Sequence, residues 1–169
     1  MLYKCMLLGA IVLGCKKIGE FVVSAHQERV QAMCALHDGC RAMSEALVQK
    51  EYTFPRALCW AEETSKLGLF GALAERLRKD PTAEVQPLAE AAFEACGRAV
   101  DADLREACLQ YFSEAAAAET KTQLQQSGAA CLEKMAERLR ALEREQRDKA
   151  KVVRAVSLSA GLTVVILLL

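Results

Sequence analysis

Two uncharged apolar stretches, one near each end of the sequence, most restrict what this chain can fold into. Residues 5–15 read CMLLGAIVLGC, and residues 155–169 read AVSLSAGLTVVILLL. A helix that crosses a bilayer needs about 20 apolar residues. The two stretches approach that length when adjacent apolar residues are included and the flanking basic side chains extend to the interface. We therefore predict an N-terminal membrane span over 1–17 and a C-terminal span over 152–169.

The first stretch has three other interpretations, which the sequence leaves open. Lys4 could be the charged start of a cleaved signal peptide, although no small-residue cleavage site follows. The sequence Val12-Leu13-Gly14-Cys15 resembles a lipobox, which would place a lipid on Cys15 after processing, but Leu13 stands where a small residue is usual. A run of this length is also compatible with a buried core helix.

Basic residues lie on the inner side of both predicted spans. Lys16 and Lys17 follow the first, and five Lys or Arg side chains lie between 144 and 154, before the second. The positive-inside rule then places the central segment, residues 18–151, in the cytosol. The eight cysteines show no C-x-x-C and no local zinc spacing. In a reducing compartment we expect them to act as small hydrophobic residues rather than as disulfides.

Small residues recur within both predicted spans. Ala10 and Gly14 are four positions apart, as are Ser157 and Gly161. This spacing lets helices approach closely inside a bilayer. These four positions are therefore candidate membrane-packing residues, although glycine and serine are also common in such helices for no special reason.

The central segment is patterned for helices. Apolar residues recur every three or four positions before Lys50 and again in the last third of the chain, while only three prolines occur, all of them between 55 and 87. Gly39 interrupts the first stripe without changing its phase, and Pro55 suits the start of the next helix. The short stripes that follow include Leu69, Phe70, Leu73 and Leu77, and then Leu104, Cys108, Tyr111 and Phe112.

From this pattern we predict an all-α protein. Its fold is an antiparallel helical bundle in which two long helices continue into the membrane spans and shorter helices over 55–118 form a cap. Asp80 is a candidate N-cap for the helix after Pro81. The mixed charges of the last long helix are typical of a solvated face.

Sequence signals for chemistry are few. The net charge is zero, which argues against a nucleic-acid binder. His26 and His37 would lie about 16 Å apart on one helix, too far to share a metal ion. No phosphate-binding loop, nucleophile elbow or H-E-x-x-H motif occurs. We therefore expect no enzyme activity and no cofactor, and no metal ligands are predicted.

Several segments together resemble the stage III sporulation protein AB family of endospore-forming bacteria, and the resemblance extends over essentially the whole chain. The opening Leu-Leu-Gly9 with Gly19 after the span resembles the family's start, and the ending from Lys151 to the Ile-Leu-Leu-Leu terminus resembles its basic stretch and glycine-spaced span. The family-motif positions, which are candidates for a partner interface, are Glu45, Pro55, Glu119 and Gln123. The family's Asp is Glu119 here, and its first span glycine is Ser157.

The resemblance implies a membrane component of the sporulation channel complex in the mother cell. The family's helical domain is similar to the cytoplasmic domain of type II secretion F-type platform proteins, so the implied partners are a cytosolic ATPase and other channel proteins. Homo-oligomerisation stays open. Two alternatives are a lipid-anchored extracytoplasmic helical protein processed at Cys15, and a tail-anchored coiled-coil tether. The charges of the cap are too evenly mixed to identify a docking surface.

Overall fold

Six α helices account for most of the residues that the structure describes. The computed structural model describes the backbone of residues 2–96 and 100–168, and the side chains of 27–96, 100–145 and a few positions nearer the two ends. The helices, in chain order, are α1 (Leu2–Val48), α2 (Phe54–Ser65), α3 (Leu69–Lys79), α4 (Val85–Cys96), α5 (Ala102–Ala117) and α6 (Lys121–Leu168). The prediction of an all-helical protein is confirmed for the described residues.

The first and last helices are the long ones, as the sequence predicts. Each runs through one of the two apolar stretches without a break. Proline is absent from both helices, so no missing amide donor or ring clash interrupts them. Among the residues that the structure describes, no helix is both long and apolar enough to cross a membrane.

The chain divides into two compact units, and the predicted span boundaries at 17 and 151 stay predictions. One unit contains Met1–Val30 together with Ala141–Leu169, and the other contains Gln31–Arg140. The second unit, which we call the helical domain, includes the end of α1, the four short helices and the start of α6. It holds all the side-chain chemistry considered below.

The core of the helical domain follows the predicted apolar stripes. The buried positions from α1 include Met33, Leu36, Cys40, Met43 and Leu47, and the predicted positions of α3 and α5 are buried as well. The rings of Phe70 and Phe112 meet edge to face with centroids 5.9 Å apart, and Phe93 stacks on Phe112 at 6.4 Å. Aromatic side chains from α3, α4 and α5 thus form the centre of the core.

Within the helical domain, α1 and α6 run in opposite directions. Three pairs of positions show this. The Sγ atoms of Cys40 and Cys131 lie within 4.8 Å of each other. Ser44 lies against Gly128, where an added Cβ would be 2.7 Å from the Ser44 hydroxyl, and Glu51 forms an ion pair with Lys121. As the contact positions approach the C-terminal end of α1, their partners approach the N-terminal end of α6. This register places the end of α1 beside the beginning of α6.

A side-chain carboxylate caps the N-terminus of α3. Glu62, on α2, accepts hydrogen bonds from the backbone N–H groups of Gly68 at 2.7 Å and Gly71 at 3.0 Å. The first turn of a helix has N–H groups without intrahelical partners, and a negative charge is favourable there. Gly68 itself has φ of 85°, a left-handed conformation that glycine adopts without steric cost. Together these residues fix the sharp connection between α2 and α3.

The predicted N-cap role of Asp80 is wrong. Asp80 follows the last residue of α3, and α4 begins only at Val85. The Asp80 carboxylate instead accepts hydrogen bonds from the backbone N–H and the hydroxyl of Thr82, at 3.3 and 3.0 Å. Aspartate stabilises such a turn by the same hydrogen bonding that suits it to a helix N-cap, so the local sequence did not distinguish the two.

Candidate functional site

The family-motif residue Glu45 lies on the solvent-facing side of α1. Its carboxylate is 3.8 Å from the guanidinium Nε of Arg41, one turn earlier, and both side chains are more than half exposed. Pro55 is also exposed and occupies the first turn of α2, as the sequence predicts. Neither residue is needed for the core, so both are available to a partner.

The other two family-motif residues meet each other at the beginning of α6. The backbone N–H of Glu119 donates to the side-chain oxygen of Gln123 at 3.3 Å, and the Gln123 N–H donates to the Thr120 hydroxyl at the same distance. This arrangement is similar to a capping box with Thr120 at the cap and Gln123 three residues later, except that the Gln123 side chain accepts from the N–H of the residue before the cap. The spacing of Glu119 and Gln123 therefore has a local structural cause.

An ion pair links the connection that precedes Pro55 to the beginning of α6, close to Glu119. The Lys121 ammonium binds the Glu51 carboxylate, linking the connection after α1 to the first residue of α6. The hydrogen bond from Lys121 lowers the pKa of Glu51 below its usual range. The segment that leads to Pro55 and the segment around Glu119 are therefore joined on one side of the helical domain.

Beside this ion pair, exposed cations stack on aromatic rings. We call Lys50, Tyr52, Arg56 and Trp60 the cation–aromatic patch. The Lys50 ammonium lies 3.3 Å from the centroid of the Trp60 ring, and the Arg56 guanidinium carbon lies 4.1 Å from that of Tyr52. Lys50 also reaches within 5.8 Å of the Tyr52 ring, so the four side chains form a continuous surface. Cation–π contacts of this kind hold long side chains in place at the surface.

The patch contains residue types that are enriched at protein interfaces. Trp60 is the chain's sole tryptophan, and 36% of it remains exposed. Tryptophan, tyrosine and arginine are the residues most enriched among those that dominate binding energy. Since Lys121 neutralises Glu51, the charge that the patch presents comes from Lys50 and Arg56. The patch therefore suits an acidic partner surface.

The candidate membrane-packing residues all lie in long helices: Ala10 and Gly14 in α1, and Ser157 and Gly161 in α6. Their side-chain surroundings lie outside the part of the chain that the structure describes. Their role in packing stays a prediction.

Three cysteines that are far apart in the sequence converge in the core. Cys40 of α1, Cys108 of α5 and Cys131 of α6 are all buried, and their Sγ atoms lie within 4.8 Å of one another. We call these residues the thiol cluster. Within the described side chains, this is the set of residues able to hold a metal ion.

The thiols of the cluster alter one another's protonation. Hydrogen bonds from Cys108 and Cys40 lower the pKa of Cys131. A hydrogen bond with Cys108 raises the pKa of Cys40 well above its ordinary value, and one with Cys131 does the same for Cys108. The close packing of the three sulfur atoms thus links the protonation of each thiol to that of the other two.

Sequence reasoning missed both features, for different reasons. The patch had a visible signal, because Tyr52, Arg56 and Trp60 recur at intervals of four. The thiol cluster had none, because its members come from three separate helices and only their relative placement brings them together. The absence of local zinc spacing did not exclude a site of this kind.

The chain was compared with known proteins. The family model for stage III sporulation protein AB matches residues 4–169, so the match includes every structural feature described above. No curated protein and no solved structure matched the chain. The resemblance that the sequence suggested is therefore confirmed, and the chain belongs to the stage III sporulation protein AB family.

Proposed function

We propose that this protein is a membrane-anchored helical scaffold of the sporulation channel complex, and that its cation–aromatic patch docks the cytosolic ATPase of that complex in the mother cell. Family membership across residues 4–169 is the observation that carries the proposal. ATP hydrolysis is assigned to the partner, and the chain itself is a non-enzymatic platform that transmits the partner's action to the membrane assembly.

The organisation of the helices supports a platform. The apolar ends of α1 and α6 would anchor the protein, while the basic residues beside them would keep the helical domain in the cytosol. The short helices α2 to α5 build a packed core with aromatic side chains at its centre. A simple coiled-coil tether has no need of such a core, whereas a platform that presents a fixed surface does.

The patch supports docking because its side chains are already held in place. Stacking of Lys50 on Trp60 and of Arg56 on Tyr52 limits their movement before any partner binds. Binding then requires less loss of side-chain entropy than it would for free lysine and arginine side chains. An acidic surface on the ATPase would complement the two cations and speed association.

The binding experiment uses the full chain in detergent and the purified ATPase of the same complex. Replacing Trp60 with Ala, or Arg56 with Ala, is expected to weaken binding by about tenfold or more, as truncation of an interface anchor does. Arg78→Ala is the matched control, because Arg78 is an equally exposed arginine on α3 outside the patch. Equal affinities of Trp60→Ala, Arg78→Ala and the unmodified chain would overturn the assignment of the patch.

Thiol labelling tests the proposed membrane topology, and a cysteine that the chain already contains serves as the probe. Cys59 is exposed on α2, so a thiol reagent can reach it wherever the reagent has access. In intact cells, a membrane-impermeant maleimide is expected to leave Cys59 unlabelled, and permeabilised cells should label it. A Cys59→Ser variant identifies the signal that belongs to this residue. Labelling in intact cells would contradict a cytosolic helical domain.

The mass of the mature protein separates the scaffold from the lipid-anchored alternative. A retained N-terminus gives the full-length mass, as a membrane span over 1–17 requires. Loss of residues 1–14 with acyl chains on Cys15 would instead show lipoprotein processing and an extracytoplasmic protein.

A further inference from the structure

The thiol cluster places three soft ligand atoms around one point. Its sulfur atoms come from α1, α5 and α6, and each pair lies within 4.8 Å. Around a zinc ion with Zn–S distances near 2.3 Å, tetrahedral geometry separates sulfur atoms by about 3.8 Å. To reduce the sulfur–sulfur distance from 4.8 Å to about 3.8 Å, each sulfur must move by less than about 1 Å. Rotation of the cysteine side chains allows a movement of this size.

The ligand atoms and the apolar environment of the thiol cluster indicate which kind of metal ion it would bind. The cluster offers sulfur and lies in a core without a buried charged or polar residue among the described side chains. Calcium and magnesium require oxygen ligands, which this core does not supply. Thiolates favour soft or borderline ions, and zinc is the one that adopts closed sulfur and nitrogen sites without redox chemistry.

The described histidine on α1 is not part of the cluster. His37 lies three residues before Cys40, but its ring nitrogens are not within 4.8 Å of all three sulfur atoms. Its Nδ1 instead lies 3.4 Å from the carboxylate of Asp38. The three sulfur atoms are therefore the protein ligands that the structure brings together.

An unsatisfied hydroxyl provides a second, independent observation. Tyr111, three residues after Cys108 on α5, is 98% buried, yet its hydroxyl has no hydrogen-bond partner in the described part of the chain. The Ser44 hydroxyl is close but outside hydrogen-bonding geometry. Burial raises the pKa of Tyr111, so its hydroxyl stays protonated and acts as a donor. A metal-bound thiolate would give this donor an acceptor.

We propose that the thiol cluster binds one Zn²⁺ ion through its three sulfur atoms. The site is structural, because all three cysteines are buried in the core, where a substrate does not reach the ion. Each thiol that ligates the ion releases a proton, so the affinity for zinc increases with pH. The bound ion would join α1, α5 and α6 within the helical domain.

The test titrates Zn²⁺ into the full chain in detergent, after chelator treatment under reducing, oxygen-free conditions. Competition with a chromophoric chelator gives the affinity, and elemental analysis gives the stoichiometry. We expect one ion per chain for the unmodified protein and for Cys59→Ser, the control thiol on the surface. Cys131→Ser and Cys108→Ala are expected to bind at least about a hundredfold more weakly.

Cobalt tests the ligand set directly. Co²⁺ in the same preparation should show the intense visible bands of a tetrahedral site and the near-ultraviolet bands of thiolate ligation. These bands should persist in Cys59→Ser and disappear in Cys131→Ser. An unmodified chain that takes up neither ion, or a Cys131→Ser variant that binds as tightly, would overturn the site.

A measurement on the unmodified chain keeps the test independent of variant folding. Zn²⁺ should slow alkylation of Cys40, Cys108 and Cys131 by at least about tenfold while leaving Cys59 as reactive as before, with mass spectrometry identifying each site. If the cluster is only a set of packed thiols, Zn²⁺ will not change the alkylation rates. That result would also overturn the proposal.

Discussion

The ring of Phe70 occupies the space where a side chain at Gly39 would lie. A Cβ built on Gly39 would stand 2.2 Å from Cε2 of that ring and 2.6 Å from Cζ. Gly39 lies inside α1, in its C-terminal part, and glycine in a helix interior costs about 1 kcal/mol relative to alanine. The close approach of α1 and α3 explains this glycine, since the contact places a core phenylalanine directly against the helix backbone.

Gly39→Ala should therefore destabilise the protein despite its better helix propensity. The added methyl group must displace a ring that is fully buried, and overpacking of this kind typically costs about 1–3 kcal/mol. Chemical denaturation followed by circular dichroism measures the loss. Gly128→Ala is the control, because its Cβ would meet chiefly the Ser44 hydroxyl, which can rotate away. A Phe70→Leu background should reduce the effect of Gly39→Ala, and an undiminished effect would contradict the steric explanation.

Glu62 should matter to stability far more than its neighbour Glu63. Only Glu62 accepts the two N–H groups at the start of α3, and the hydrogen bonds disappear in Glu62→Ala. Loss of comparable helix caps costs about 0.5–2 kcal/mol. Glu63→Ala, at an exposed position on the same helix, is expected to change the free energy of unfolding by less than about 0.5 kcal/mol. Similar losses for the two variants would rule out the capping role.

The ion pair between Asp101 and Arg138 should stabilise the start of α5. The Arg138 Nε donates to the Asp101 carboxylate at 2.6 Å, and the aspartate side chain is only 10% exposed. Arg138→Gln is expected to lower the free energy of unfolding by about 1–2 kcal/mol, since a charge-assisted hydrogen bond is lost while the arginine's partial exposure moderates the effect. A double-mutant cycle with Asp101→Asn measures the coupling. A coupling energy near zero would show that the contact is not stabilising.

The ion pair between Glu51 and Lys121 predicts a pH effect of known sign. Its hydrogen bond lowers the pKa of Glu51 in the folded state, so the stabilisation is present above the unfolded-state pKa and is lost as the pH falls through the folded-state pKa. Lys121→Met should return the pKa of Glu51 toward its ordinary value, as followed by side-chain carboxyl NMR. Glu75, whose pKa is lowered by Lys79, should titrate unchanged in that variant. An unchanged Glu51 titration would mean that the ion pair does not persist in solution.

The buried faces of the helices could be predicted because a single helix determines them. Leu104, Cys108 and Tyr111 project from one side of α5 whatever the other helices do, and all three are buried. The start of α2 followed from Pro55 in the same way. Asp80 shows the limit of such local reasoning, because its carboxylate satisfies a turn as well as it would satisfy a helix N-terminus.

The sequence by itself determined that the chain is helical, where its apolar faces lie and to which family it belongs. Only the tertiary structure decided which faces meet. The register of α1 against α6 brings Cys40 to Cys131, and the packing of α5 adds Cys108. Helical periodicity specifies the direction of each side chain around its own axis but not the axial position of one helix against another, and that position is set by contacts such as Phe70 against Gly39.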